Sequence, residues 1–481
     1  MSNFFEYFVF FYATAMFIAY TFLGMFSFIN IFKYKTYTSR LDDDFLLTSS
    51  LTPGISIIAP AYNEEVTIIV NAKSLLTLNY PLFEVIIIND GSKDKTLELL
   101  IEEFDLIETP YAYIEKIKTK PFKRIFKSRK AEFSKLTVVD KVNGGTKADA
   151  SNAGINASQY PYFLCTDVDC ILEKNTLLRM IKPILSSKSK TIAVGATLRM
   201  SNSCDIVDGN IIRVRPPKAL IPRFQELEYL RAYIFGKMGW ALVNCVPNIS
   251  GGLGLFDKEV AIRAGGYDGN SHAEDMDLMV KMAAHRMDND KKYIIDYVPI
   301  SCCWTEGPPN VRILSRQRVR WATGIAQIFT VHRKILFNPR YKRLGLVVFP
   351  FNFIFEFLAP IIEFLGLIWF IILILKGDVN WSMAGYIFLY SYSFAIVIGT
   401  MVLLLDNFIQ RQYQSFREVF GLWLMVFIEP FIYHPLLVYF ALKGYYNFFT
   451  SKRMEWGTMT RQGHGTTEKI TTRNENENVT V

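Results

Sequence analysis

Cysteine is scarce in this 481-residue chain, and its placement argues against a structural zinc site. The six cysteines all fall between Cys165 and Cys303, and no two have the CxxC spacing that is typical of zinc-binding modules. The neighbours Cys302 and Cys303 are poor disulfide partners. We therefore expect reduced thiols, as in proteins of a reducing compartment, and a central region that faces the cytosol.

The sequence also predicts no cleavable secretory signal. The first apolar block, residues 4–32, is longer than the short core of such a signal, and no Lys or Arg precedes it. About 20 apolar residues cross a bilayer, so the block predicts a transmembrane helix that is retained. Lys33 and Lys35 follow it, and the positive-inside rule then places the C-terminal end of this helix in the cytosol.

Apolar residues are concentrated at the two ends of the chain. They make up 51% of the sequence, and the mean hydropathy of +0.18 is unusual for a soluble enzyme. Later apolar blocks lie at 346–375, 383–405 and 419–442, whereas the middle of the chain has a globular composition. We predict a transmembrane helix at 1–35, a cytosolic domain at 50–335, a C-terminal transmembrane region with interfacial helices at 336–450 and a polar tail at 451–481.

The topology of the C-terminal region stays open at this stage. Glu356 and Glu429 are ionisable residues at membrane depth, where such groups usually face protein or a water-filled path. The alternative is that these blocks are kinked or lie partly in the interface. Three simple spans would put the tail outside, whereas Lys443 and Lys452 favour a cytosolic tail.

The net charge of +8 has two explanations. Nucleic-acid binding is one, but the basic residues crowd next to the apolar blocks, as Arg40 and Arg343 do. Such juxtamembrane clusters are attracted to anionic lipid headgroups. We expect membrane lipids, and no nucleic acid, among the partners of this chain.

The central region has the strand and helix order of a doubly wound α/β domain. Short apolar runs at 55–59, 85–88, 136–139 and 162–166 alternate with a predicted helix at 64–78 and another at 147–157. Polar residues follow successive strands, and a parallel sheet binds its ligands beyond the carboxyl ends of its strands. The pattern therefore predicts one crevice at that edge.

Asp167 and Asp169 follow the run at 162–166 and flank a single residue. This spacing lets two carboxylates meet one hard divalent cation, which also binds diphosphate oxygens; the alternative is a structural turn. Residues 144–149 read Gly-Gly-Thr-Lys-Ala-Asp, which lacks the full P-loop pattern. The start of a helix beside Lys147 still suits a phosphate group.

Two further motifs have both a functional and a structural reading. Glu274 and Asp275 are either catalytic carboxylates or the acidic start of a helix, stabilised by its dipole. Gln317, Arg320 and Trp321 lie in a basic amphipathic segment, and such segments also mark a membrane interface.

Together these motifs resemble the membrane-bound family 2 glycosyltransferases, which include cellulose, hyaluronan and poly-N-acetylglucosamine synthases. The match spans residues 55–321 in the order of the family. Its elements are Ala-Pro-Ala-Tyr-Asn-Glu at 59–64, Asn-Asp-Gly-Ser at 89–92, Gly-Thr-Lys-Ala-Asp at 145–149, the D-x-D at 167–169, Glu-Asp at 274–275 and Q-x-x-R-W at 317–321. The implied fold is a cytosolic GT-A domain with an all-α transmembrane region.

The resemblance implies a role for each motif. Pro60, Tyr62, Glu64 and Asp90 are expected on the nucleotide side of a nucleotide-sugar donor. Lys147, Asp149 and Asp167 are expected to contact that donor, with Mg²⁺ or Mn²⁺ on Asp167 and Asp169. Asp275, with Glu274 as the alternative, is expected to be the general base. Gln317, Arg320 and Trp321 are expected to line the acceptor and diphosphate region.

Inverting transfer to a growing β-linked polysaccharide is the leading prediction. Transfer of one sugar to a lipid is the alternative, and a non-catalytic scaffold or transporter is the third. The expected partners are the nucleotide-sugar donor and a glycan or lipid acceptor, and accessory envelope proteins are compatible with the resemblance. The nine basic residues at 116–135 are not part of the family core, and we interpret them as a solvated loop or a contact to anionic lipid.

Overall fold

A computed structural model describes residues 2–111 and 113–450. The predicted polar tail at 451–481 lies outside the described residues. The strands are β1 Ile55–Ala61, β2 Phe83–Asn89, β3 Leu106–Glu108, β4 Phe122–Ser128, β5 Leu136–Lys141, β6 Tyr162–Thr166, β7 Ile171–Leu172, β8 Thr191–Met200, β9 Asp205–Val207, β10 Asn210–Arg213, β11 Leu253–Asp257 and β12 Ile294–Thr305.

Fifteen α-helices are present in the described residues. They are α1 Ser2–Thr38, α2 Asp43–Thr48, α3 Ile68–Leu76, α4 Thr96–Phe104, α5 Lys147–Ala157, α6 Thr176–Ser186, α7 Leu220–Leu230, α8 Met238–Leu242, α9 Lys258–Arg263, α10 Glu274–Asp288, α11 Val311–Val331, α12 Phe349–Asn352, α13 Ala359–Lys376, α14 Trp381–Ile409 and α15 Phe416–Phe449. Segments of π-helix span Arg231–Lys237, Leu344–Val348 and Phe353–Phe357, and 3₁₀ turns span Ala131–Phe133 and Pro339–Tyr341.

Ten strands form one sheet in the order β3-β4-β5-β2-β1-β6-β11-β8-β12-β7. Its core, β5-β2-β1-β6, is parallel, and β11 runs antiparallel between β6 and β8. Every residue of β2 is buried, as expected for a parallel strand covered on both faces. The predicted α/β fold with a parallel sheet is therefore confirmed.

Helix α5 packs directly on the parallel core. A Cβ atom at Gly154 would lie 2.4 Å from a methyl carbon of Ile58 and 2.9 Å from one of Ile88, so only glycine permits this approach. Thr146 caps the helix by accepting from the amide of Asp149. The start of α5, with Lys147 and Asp149, is thereby held at the carboxyl edge of the sheet.

The basic segment 116–135, interpreted from the sequence as a solvated loop or a contact to anionic lipid, is not wholly a loop. Part of it folds as β4, which pairs antiparallel with β3 and β5. Ile125 and Phe126 are buried against the sheet, while the neighbouring basic side chains stay at the surface. A strand is favoured here because it buries these two apolar side chains and pairs with the backbone hydrogen-bonding groups at the edge of β5. The charge of the segment alone does not indicate this stabilisation.

Within the part of the chain that the structure describes, four helical stretches are long and apolar enough to cross a membrane. They are Glu6–Thr38, Leu344–Lys376, Trp381–Ile409 and Phe416–Phe449. The predicted apolar blocks at 4–32, 346–375, 383–405 and 419–442 all fall within helical stretches.

Helix α15 contacts the sheet domain along most of its length. Glu418 near its start lies 3.7 Å from Arg213, and Glu429 pairs with Arg231. Near its end, the Thr323 hydroxyl donates to the carbonyl of Gly444 at 3.1 Å. Glu418 and Glu429 of this helix therefore face protein, whereas Arg417 and Lys443 are exposed.

A buried charge network joins the sheet to the end of α14. Arg199 of β8 is fully buried, and its guanidinium pairs with Glu226 of α7 at 2.9 Å and with Asp406 of α14. Its Nε donates to the Ser301 hydroxyl at 2.6 Å. Tyr413 donates to Glu226 at 2.6 Å, so four segments meet at one cation.

We predict that Arg199→Met strongly destabilises the protein. The substitution leaves two buried carboxylates without their cation, and breaking a buried pair typically costs about 3–5 kcal/mol. Arg129→Met is the matched control, because Arg129 and Asp105 form an exposed pair and such pairs contribute about 0–1 kcal/mol. Thermal unfolding in detergent measures both, and equal midpoints for the two variants would contradict the prediction.

Candidate active site

The loops after β1 and β2 are joined by hydrogen bonds at the carboxyl edge of the sheet. The amide of Asp90 donates to the Ala61 carbonyl at 2.9 Å, and the amide of Glu64 donates to the Thr96 hydroxyl at 2.9 Å. Pro60 and Glu64 are half-buried, whereas the Tyr62 ring is 41% exposed. The structure thus brings the residues predicted for the nucleotide side together around an accessible ring.

A buried lysine joins the two carboxylates predicted on the donor side. Lys141, at the end of β5, donates to Asp90 at 2.7 Å and to Asp149 at 2.5 Å, and its side chain has no exposed surface. The amide of Gly144 also donates to Asp90, at 2.9 Å. Sequence reasoning missed Lys141, because only the pairing of β5 with β2 places it between the two carboxylates.

Lys147 connects the start of α5 to the D-x-D segment. Its ammonium group pairs with Asp167 and donates to the Gly251 carbonyl at 2.6 Å. Burial lowers the pKa of Lys147, but the nearby acidic groups, Asp167 first and Glu274 among them, together outweigh this effect and the net shift is upward. Lys147 therefore presents a stable positive charge at the crevice.

The Gly251-Gly252 turn before β11 is the point on which the charged groups converge. The amide of Gly251 donates to the Asp275 carboxylate at 3.2 Å. A Cβ atom at Gly251 would lie 3.5 Å from the Lys147 ammonium and 4.0 Å from a carboxylate oxygen of Glu274, and one at Gly252 would lie 3.6 Å from a carboxylate oxygen of Asp167. The sequence analysis did not predict this turn, although two consecutive glycines before an apolar run are typical of a turn that precedes a strand.

The D-x-D segment has a donor set suited to a divalent cation. Ligand atoms of Asp167, Asp169 and Cys170 lie within 4.8 Å of one another. Carboxylate oxygens are the ligands that Mg²⁺ and Mn²⁺ prefer, so the two aspartates fit such an ion. Asp169 and Cys170 are buried, while Asp167 is half-buried and faces Lys147.

The two acidic residues at the start of α10 have different environments. Glu274 is buried, and burial together with the nearby Asp275 carboxylate raises its pKa. Asp275 is half-buried, and its second carboxylate oxygen accepts from the amide of Met276 at 2.8 Å. Of the pair, Asp275 is the carboxylate more accessible to a substrate.

Helix α11 is attached to the loop that precedes α10. Arg320 donates to the carbonyl of His272 at 3.3 Å, and both Arg320 and Trp321 are half-buried. Gln317 points to α7, where its side-chain oxygen accepts from Gln225 at 3.1 Å. The structure thus brings Arg320 close to the acidic pair and places Gln317 at the neighbouring helix.

Trp321 is held by an arginine that also contacts α15. The guanidinium of Arg318 lies 4.3 Å from the centre of the Trp321 ring. The same group forms two bonds to Glu228, at 2.5 and 2.7 Å, and a third to the Tyr433 hydroxyl at 3.1 Å. The indole is therefore positioned by charges from α7 and a phenol from α15.

This sheet, with a D-x-D segment and a lysine at its carboxyl edge, defines a GT-A type of sugar transferase. Two family models match the chain: Glycosyl transferase family 2 at residues 56–120 and 118–203, and Glycosyl transferase family group 2 at residues 198–410. The chain belongs to the family 2 glycosyltransferases.

Curated relatives include polysaccharide synthases. The poly-beta-1,6-N-acetyl-D-glucosamine synthase of Staphylococcus epidermidis is 31% identical over 301 residues, which cover 62% of this chain and 60% of the relative. The enzyme of the same name from Staphylococcus aureus strain COL is 28% identical over 305 residues, 63% of this chain and 62% of the relative. The chain thus spans about three fifths of the length of these relatives.

Solved structures also match this chain, at lower sequence identity. The mannosyltransferase PcManGT from Pyrobaculum calidifontis, in complex with GDP-Man and Mn²⁺, gives a TM-score of 0.48 at 16% identity, covering 92% of this chain and all of that chain. Residues 1–349 of S. aureus TarS give a TM-score of 0.38 at 13% identity, covering 78% of this chain and 91% of that chain.

We predict that Lys141→Met weakens nucleotide binding by roughly ten-fold or more, equivalent to about 1.4 kcal/mol. Without the ammonium group, Asp90 and Asp149 repel each other and the loops that hold them separate. Titration calorimetry with nucleoside diphosphates measures the effect. Lys73→Met is the control, because Lys73 forms a surface pair with Glu103, and a Lys141→Met protein that binds like this control would contradict the prediction.

Proposed function

We propose that this protein is a membrane-embedded, inverting glycosyltransferase that transfers a sugar from a UDP-sugar to a growing β-linked polysaccharide. The observation that carries the proposal is the convergence of Lys147, Asp167, Glu274 and Asp275 on the Gly251-Gly252 turn. We propose that these residues supply a cation, a metal-binding carboxylate and a base to one reacting centre.

The donor side of the site has separate groups for nucleoside and diphosphate. Asp90, whose position is set by Lys141, and the exposed Tyr62 ring are the groups offered to the nucleoside, with Pro60 and Glu64 shaping the loop. Asp149 supports Asp90 through the same lysine. Lys147 supplies positive charge to the diphosphate, a role for which a pre-positioned ammonium group is effective.

Asp167 and Asp169 would hold the divalent cation, Mg²⁺ or Mn²⁺. When bound, the cation supplies positive charge to the leaving diphosphate. Asp167, which pairs with Lys147, would share its carboxylate between the ammonium group and the cation. Lys147 would then supply a further positive charge to the diphosphate.

Asp275 is the proposed general base that takes the proton from the acceptor hydroxyl. The Gly251 amide and the Met276 amide orient its carboxylate. Glu274 is buried beside it, and burial together with the Asp275 carboxylate raises the pKa of Glu274. Asp275 is the more accessible member of the pair and is therefore the one that can reach an acceptor hydroxyl.

The acceptor is proposed to lie on Trp321, beside Arg320 and Gln317. The flat indole suits stacking of a sugar ring, and Arg320 can pair with the departing diphosphate. Arg318 links this platform to α15. The polymer product is supported by the names of the curated relatives, and transfer of one sugar to a lipid is the alternative, because the same platform adjoins apolar helices.

The proposed architecture keeps the domain division at 1–35, 50–335, 336–450 and 451–481, with the catalytic domain in the cytosol. Contacts of α15 with the sheet domain near both of its ends support a helix that lies along the membrane interface. In that arrangement the C-terminal tail and the catalytic domain are on the same side, which agrees with the basic residues near the tail.

We expect membranes that contain the protein to use one labelled UDP-sugar from a panel and to form a polymer ladder. A single glycolipid product would favour the alternative.

Asp275→Asn keeps the shape of the side chain and removes its basicity, so turnover falls about 10²–10⁴-fold. Donor binding should persist in this variant. Normal turnover by Asp275→Asn would mean that another residue is the base, and Glu274→Gln is then the next variant.

We expect Asp169→Asn to weaken Mn²⁺ binding at least ten-fold, as measured by the electron paramagnetic resonance of the free ion. We also expect that chelation of the metal stops transfer. Removing one carboxylate charge lowers the affinity of an oxygen site for a hard cation. Asp208→Asn, at an exposed turn between β9 and β10, is the matched control. Unchanged Mn²⁺ binding by Asp169→Asn would place the ion elsewhere.

A further inference from the structure

A cavity of about 300 Å³ lies where the first membrane helix meets the catalytic domain. Ile31 and Lys35 of α1, Arg179 and Lys182 of α6 and Ile409 of α14 are among its lining residues. Its size is at the lower end of the range for ligand pockets. No residue proposed for sugar transfer lines it, so it is separate from the active site.

The cavity is at the boundary between apolar and polar surface. On α1, the exposed rings of Phe28 and Phe32 end just before Lys35, and on α14 the exposed Phe408 ring lies at the same level. The Lys35 ammonium group is 3.7 Å from the centre of that ring and 2.9 Å from the Phe408 carbonyl. A bilayer covering the apolar surface would end at this level.

The charge of the cavity is positive. Lys35, Arg179 and Lys182 line it, and Asp43 is the acidic residue among its lining side chains. Asp43 pairs with Lys182 at 2.6 Å. Arg179 pairs with Glu173 at 3.2 Å and donates to the Ser301 carbonyl at 3.2 Å. Each ammonium group has three donors and the guanidinium five, so donors remain for an anion.

We infer that this cavity binds the phosphate headgroup of an anionic membrane lipid. The cations match a phosphate diester. An apolar wall for the start of the acyl chains is provided by Ile31, Ile300 and Ile409. A free phosphate would not contact such a wall. The lipid thereby connects α1, α6 and α14 on the cytosolic side. This inference rests on the proposed membrane location of the protein.

The test uses the full chain in nanodiscs of phosphatidylcholine with a minor fraction of phosphatidylglycerol. Native mass spectrometry counts the phosphatidylglycerol that stays bound after release into detergent. The wild type should retain it, and Lys35→Gln combined with Lys182→Gln should lower retention about 25-fold, because the loss of each lysine that lines the cavity lowers retention about five-fold. Lys35→Gln alone, at an exposed side chain, should lower it about five-fold without loss of folding.

The matched control is Lys33→Gln combined with Arg40→Gln. These two substitutions remove the same charge from the same boundary, but Lys33 and Arg40 do not line the cavity. Lipid retention should therefore equal that of the wild type. Equal loss in both double variants, or equal retention in all proteins, would overturn the inference. Displacement of the lipid by equimolar glycerol phosphate would also overturn it, by identifying a soluble anion as the ligand. If the chain dissolves without detergent, the proposed membrane location itself fails.

Discussion

The ion pair between Lys147 and Asp167 is the contact on which the active site depends. It joins the start of α5 to the end of β6, and the bond from Lys147 to the Gly251 carbonyl adds the turn before β11. A buried ammonium group without partners would be costly. The pair therefore requires three separate segments to meet at the carboxyl edge of the sheet, where Asp275 then reaches the same turn.

Buried charge is used in the same way at the other junctions of the molecule. Lys141 joins the loop after β2 to helix α5, Arg199 joins the sheet to α14, and Arg318 joins α11 to α15. Such networks add little net stability compared with apolar packing, but they penalise every arrangement that leaves one partner unpaired. We infer that they hold the catalytic domain and the apolar helices in one relative position, as transfer at a membrane surface requires.

The sequence predicted the parts of the fold that local patterns encode. Strand β6 and helix α5 begin and end where their apolar runs and the Thr146 cap indicate, and the polar residues after β1, β2 and β6 lie together because parallel strands share one edge. Strand β4, within the basic segment at 116–135, was not predicted, because its advantage over a loop comes from covering β5. That advantage depends on a neighbour in the sheet and not on the composition of the segment.

The sequence alone determined the class of fold, the order of the motifs and the residue types available for donor, metal and base. Tertiary structure decided which of them meet. Lys141 lies between Asp90 and Asp149 only through the register of β5 on β2, and the Gly251-Gly252 turn joins the site only because β11 inserts antiparallel beside β6. Such contacts join residues far apart in the chain, and they are set by the packing of whole elements, which no local pattern records.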